Sequence, residues 1–190
     1  YGTEHQAWMW SRGQGFDVVT YNGTGSARQI PHSLSKIPEM LWIKCRDDDK
    51  SWIVGHKDLN GGVNSEQYHL YLNPTNSEID DDIFNDTAHT STHFNVKTSQ
   101  NVNGTDKEYI AMLFASVEGI SICGSYSGST SAVEVDCEFV PRFVLIKKTN
   151  EAGPWVIHDT TRGIAAGNDC YIFLNDDAAQ NCNYDTLDLL

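Results

Sequence analysis

The sequence repeats itself at long range. Tyr21, Gly23, Ser26 and Ala27 return as Tyr126, Gly128, Ser131 and Ala132, a displacement of 105 (126 − 21). Pro38, Ile43, Lys44 and Trp52 return as Pro141, Ile146, Lys147 and Trp155, displaced by 103 (155 − 52). Leu72 and Asn73 return as Leu174 and Asn175, displaced by 102 (174 − 72). Such drift is what small loop insertions between matched strands produce. The period exceeds any solenoid or propeller unit and fits two tandem small domains of one type. Tandem modules are common in adhesive and structural proteins and less natural in a single-site enzyme.

The local pattern is that of strands. Leu41-Trp42-Ile43-Lys44-Cys45, Ser51-Trp52-Ile53-Val54, Phe143-Val144-Leu145-Ile146-Lys147 and Trp155-Val156-Ile157 are short runs rich in branched and aromatic residues. Turn chemistry separates such runs at Asn22-Gly23, Asp47-Asp48-Asp49, Asn60-Gly61-Gly62, Asn103-Gly104 and Ala152-Gly153-Pro154. An all-β fold is expected, with two tandem β-sandwich or jelly-roll-like modules related by internal duplication. The first module spans 15–118, with strands near 16–22, 26–31, 39–46, 51–56, 68–73, 92–98 and 108–116. The second spans 119–190, with strands near 120–127, 131–138, 142–149, 154–159 and 170–175. It lacks counterparts of the strands at 92–98 and 108–116. One helical turn each is allowed at 78–85 and 160–165.

Residues 1–14 stand apart from both modules. Ala7-Trp8-Met9-Trp10 aligns with Ala111-Met112-Leu113-Phe114 (111 − 7 = 104), the last strand of the first module. This piece either belongs to an adjoining module or completes the second. So apolar a strand does not remain an open edge without inviting aggregation, so it is expected to pair within the structure or with a neighbouring chain. Trp8 and Trp10 lie two apart, share one face, and are the interface candidates.

Charge narrows the partners. Thirteen Lys and Arg against twenty-six Asp and Glu give a net charge of −13, which repels nucleic acid and anionic membrane faces. No apolar run approaches the ~20 residues of a membrane helix, so no membrane insertion is expected. The chain opens Tyr-Gly-Thr-Glu-His with neither Met nor a signal peptide, and reads as a processed or excised product. Five cysteines, at 45, 123, 137, 170 and 182, form no CxxC pair, which argues against zinc and for at least one free thiol. Cys123 and Cys137 flank an expected hairpin and either bridge across it or serve as small apolar residues.

Catalytic and metal chemistry find little footing. There is no Gly-x-Ser-x-Gly elbow, and His158 and Asp159, adjacent on a strand, face opposite ways. His89 and His93 on a strand would sit ~13 Å apart, too far to hold one metal. Asp47, Asp48 and Asp49, and Asp80, Asp81 and Asp82, are hard-oxygen clusters that are weak calcium candidates without EF-hand spacing. Solvated loop acids are the plainer reading. Trp52 and Trp155, at equivalent positions, are expected in the core. Asn22-Gly23-Thr24, Asn85-Asp86-Thr87 and Asn103-Gly104-Thr105 are glycosylation sequons, relevant only in a eukaryotic secretory route.

Several strings resemble a repeated domain of tailed-phage virion proteins. They are Gln6-Ala7-Trp8-Met9-Trp10-Ser11-Arg12, Gly15-Phe16-Asp17-Val18-Val19-Thr20-Tyr21 and Val133-Glu134-Val135-Asp136-Cys137-Glu138-Phe139. Arg142-Phe143-Val144-Leu145-Ile146-Lys147-Lys148-Thr149 and Arg162-Gly163-Ile164-Ala165-Ala166-Gly167-Asn168-Asp169 extend the likeness over nearly the whole chain. That family is met in tail-fibre-like and other structural proteins of marine phages, cyanophages especially, and has no assigned catalysis. Its pattern usually continues through another pair of strands after the region of Tyr184 and Asp185. The resemblance implies a non-enzymatic virion part, made in the host cytoplasm and carried on the extracellular particle. A tail fibre or appendage module for assembly and host-surface attachment is the expectation. Capsid decoration or a neck protein, and a secreted carbohydrate-binding module, are the alternatives. The expected partners are other virion proteins, copies of itself and a host surface glycan, with no cofactor beyond the calcium candidates.

Overall fold

A computed structural model describes residues 7–164 and 167–189. Among them the fold is all-β, with twelve strands and every pairing antiparallel. The strands are β1 (Phe16–Asn22), β2 (Arg28–Pro31), β3 (Met40–Cys45), β4 (Ile53–His56), β5 (Tyr68–Tyr71) and β6 (Ile79–Asp80). They continue as β7 (His93–Val96), β8 (Glu108–Phe114), β9 (Phe143–Lys147), β10 (Trp155–Asp159), β11 (Asp169–Phe173) and β12 (Asn181–Tyr184). One sheet runs β1-β8-β3-β4-β5-β6, a second β12-β11-β10-β9, and β2 pairs with β7.

The large sheet is buried on both faces. Alternate residues of a strand point to opposite sides. On β3, Leu41, Ile43 and Cys45 join a core with Ile30 of β2, Phe94 and Val96 of β7, and Tyr109, Ala111 and Leu113 of β8. Trp42, between them, joins a second core with Val54, Leu59, Leu70, Leu72 and Trp155 of β10. Met112, Phe114, Leu145 and Leu174 pack against that second core. The molecule therefore stacks three layers, with the β2–β7 pair on one side of the large sheet and β9–β12 on the other. Residues on both sides of 118 bury one common core. The uninterrupted apolar run Leu41-Trp42-Ile43 follows from this, because neither face of β3 meets water.

The two meanders β3–β6 and β9–β12 carry the same register. Trp42↔Val54 and Ile43↔Ile53 correspond to Leu145↔Ile157 and Ile146↔Val156. Ile53↔Tyr71 and Val54↔Leu70 correspond to Val156↔Phe173 and Ile157↔Ile172. His69↔Ile79 corresponds to Tyr171↔Asn181. The bridging side chains repeat as well. Asn73 Oδ1 accepts from the Trp52 N–H at 2.9 Å, and Asn175 Oδ1 from the Trp155 N–H at 2.9 Å. The Leu72 and Leu174 N–H groups donate to the Trp52 and Trp155 carbonyls.

The strands at 120–138 and the two helical turns need correction. Residues 120–127 and 131–138 form no strand, although the sequence segments they match are β1 and β2. No described residue belongs to an α-helix: 78–85 contributes the short strand β6, and 160–164 makes a turn, residue 165 lying outside the described residues. Instead two single 3-10 turns, Leu59–Gly62 and Ser65–Gln67, link β4 to β5. The bridged cysteines are Cys170 and Cys182, opposed on β11 and β12, whereas Cys45, Cys123 and Cys137 are free. Denatured without reductant, the chain is expected to take up three equivalents of a thiol alkylator, and five after reduction. Intact mass reads both numbers, and five in each condition would show an open Cys170–Cys182 pair.

Candidate functional site: the aromatic seam

Six rings meet at the N-terminal end of β9. Trp10 packs on Phe16, Trp42, Phe114 and Phe143, with ring centroids 6.0–6.2 Å apart. Trp8 lies 5.9 Å from Phe143 and beneath the Arg162 guanidinium, also at 5.9 Å. Edge-to-face rings of this kind add about 0.5–1.5 kcal/mol per pair beyond area burial. The structure thus brings both interface candidates, Trp8 and Trp10, to one seam. It does not make residues 7–10 a strand; they lie against the end of β9 without pairing to it. Trp10 is partly exposed and Met9 is almost wholly so.

Sequence reasoning missed what anchors this segment. Arg12 pairs with the buried Asp17 carboxylate and donates to Ser33 Oγ. Asp17 also accepts from the Ser33 N–H and hydroxyl and from the Val18 N–H. Burial pushes its carboxyl up, but the Ser33 N–H, Arg12 and the other donors outweigh this and hold it below the usual range. The signal available was an acid, Asp17, inside an apolar strand pattern five residues from Arg12. A shallow cavity of about 420 Å³ opens beside this pair, lined by Arg12, Phe16, Asp17 and Ser33 among others.

The acidic candidates are spread over loops and a short strand. Asp47 Oδ2 accepts from the Glu108 N–H, and Asp48 Oδ1 faces Lys107 Nζ at 3.1 Å. Asp49 is exposed, Asp80 lies on β6 opposite Tyr68, Asp81 donates its N–H to the Gln67 carbonyl, and Asp82 pairs with Lys97. Among the described residues no group of three or more His, Cys, Asp or Glu is arranged to hold a metal ion. Asp159 caps the N–H groups of Thr161 and Arg162 and pairs with the Arg162 guanidinium. His158 is buried beside Tyr171. Trp155 is a core residue and Trp52 is partly buried against the same core. No described helix is long and apolar enough to cross a membrane.

The histidines are tuned by burial. His89 accepts from the Asn95 N–H and packs its ring on Phe84. Burial, reinforced by nearby His32, lowers its pKa to about 4. His56, His69 and His158 move the same way, each first through burial. A folded state that holds such rings neutral keeps its full stability above their ordinary value of 6.5. It loses stability as pH falls from there towards 4, because the unfolded chain takes up the proton first. The urea midpoint is expected to be flat from pH 8 to 7 and to fall between 6.5 and 4, with a shallower fall in His89→Gln. A midpoint that rises on acidification through that window contradicts this.

A family profile described as a domain of unknown function, DUF7483, matches residues 9–190. No curated protein and no solved structure matches the chain.

Proposed function

The chain belongs to this family of unknown function, and we propose that it is a non-catalytic structural module of a phage particle, built by internal duplication. Its place is a tail fibre or similar appendage, where it assembles with other virion proteins and copies of itself and meets the host surface. The observation that carries this is where apolar surface remains. Of eleven exposed large apolar residues among the described ones, Met9 and Trp10 lie in the N-terminal segment, and Ile120, Ile122, Tyr126, Val133, Val135 and Val140 in one stretch. Exposed apolar side chains concentrated along one stretch of chain are what an interaction surface offers a partner. The equal registers of the two meanders support the duplication. The phage-domain strings noted above support the virion role. Immunogold labelling of intact particles with antibody to this chain tests it. Label on an appendage is expected; label confined to the head favours the decoration reading, and unlabelled particles overturn the proposal.

A further inference from the structure

The two meanders differ in what lies beside their first strand. β3 has β4 on one side and β8 on the other, and β8 carries β1 beyond it. β9 has β10 alone. The stretch matching β1, residues 120–126, is on the chain yet forms no strand. Among the described residues, then, no strand stands between β9 and residues 120–126, at the position β8 fills in the first.

Individual residues carry the same message. Tyr21 is 9% exposed and donates its hydroxyl to the Val102 carbonyl, whereas its counterpart Tyr126 is 51% exposed. Gly23 presses on the loop that leads into β8, so closely that a Cβ there would lie 2.1 Å from the Gly104 carbonyl oxygen. Gly128, its counterpart, has nothing within 4 Å of that position. Ile30 is 1% exposed and its counterpart Val135 is 52% exposed. The second copy keeps residues suited to a neighbour that the first copy has.

Residues 7–10 do not fill the place. The repeat would set Trp10 opposite Phe143, Met9 opposite Val144 and Trp8 opposite Leu145, as Phe114, Leu113 and Met112 stand to Met40, Leu41 and Trp42. Their rings are instead packed into the seam at the sheet end, and Met9 is 91% exposed where Leu113 is fully buried. They cover a face, and no described strand pairs with the outer edge of β9.

We propose that the free edge of β9 is an acceptor for one antiparallel extended segment of β8 chemistry, apolar on both faces, with a small residue opposite Ile146. Main-chain hydrogen bonds would supply the affinity and the alternating side chains the selectivity. Ala111 opposite Ile43 and Leu113 opposite Leu41 define the pattern. Residues 120–126 then add as the next strand, which gives the second sheet the order of the first. This rests on the duplication reading and is independent of the virion role.

The probe is a synthetic peptide of the Glu108–Phe114 sequence with two added lysines, followed by fluorescence anisotropy and hydrogen exchange. Saturable binding is expected, with slower exchange at the β9 amides that face away from β10. Two control peptides are N-methylated at alternate residues, one at positions 109, 111 and 113, the other at 110, 112 and 114. At least one is expected to bind tenfold or more weakly. Absence of saturable binding, or undiminished binding by both methylated peptides, overturns the proposal. So does a disulfide formed within one chain by the pair Met9→Cys and Val144→Cys in most molecules, since the chain's own segment would then hold the edge. Exchange in the free protein separates the two readings. Unprotected β9 and β10 amides would remove the duplicated meander itself, whereas protected amides without peptide binding remove only the acceptor.

Discussion

Replacing Trp155 by alanine is expected to lower stability by about 3–5 kcal/mol, the range for deleting a large buried ring. Its indole is buried in the core shared by β3–β5 and β9–β12, and its ring N–H donates to the Tyr71 carbonyl at 2.8 Å. Removal opens a cavity between the sheets and leaves that carbonyl without its partner. Domains of this size are stable by about 5–15 kcal/mol, so about a fifth or more of the total is at stake. Trp52→Ala, at the equivalent but partly exposed position, is expected to cost less than half as much. Urea denaturation followed by circular dichroism measures both. A Trp155→Ala variant within 1 kcal/mol of the parent would show that the smaller sheet does not bury this face.

Gly23→Ala is expected to cost about 3 kcal/mol, at the upper end for an overpacked site. The new methyl would meet the Gly104 carbonyl oxygen, the Tyr109 ring at 2.8 Å and the Asn103 backbone at 2.9 Å. None of these can swing aside. Tyr109 is buried and its hydroxyl both accepts from the Gly104 N–H and donates to the Gln100 carbonyl. Gly128→Ala, by contrast, is expected to change stability by less than about 0.5 kcal/mol, as surface substitutions do. Equal effects at the two glycines would show that Gly23 is not held as closely as its surroundings imply.

Most strands were legible because turn residues punctuate runs of branched and aromatic side chains. β1, β3, β4, β8, β9 and β10 fall where those runs stand. β12 was not legible: Asn181-Cys182-Asn183-Tyr184 is polar, and its strand depends on pairing with β11 and on the Cys170–Cys182 bridge. Residues 120–138 misled in the opposite direction. Their alternation matches β1 and β2, but a strand needs a neighbour, and among the described residues β8 and β7 have no second copy beside them. Of the seam, Trp8 and Trp10 were visible as a pair of large rings on one face. The Arg12–Asp17 anchor was not, because charge pairing across a turn leaves no periodic trace. The layering was hidden as well: a run such as Leu41-Trp42-Ile43 tells that both faces are covered without telling by what.

Asn103 stands in a sequon, yet its side chain is spent inside the fold. Its Oδ1 accepts from the Thr24 N–H, and its Nδ2 donates to the Ser26 and Lys97 carbonyls. An oligosaccharide could be attached there only to a nascent, unfolded chain, and would then bar the β1–β2 turn from closing on its partner loop. Expression through a eukaryotic secretory pathway is therefore expected to yield a glycosylated fraction retained as misfolded protein, with Asn103→Asp a poor remedy and a bacterial host the better one.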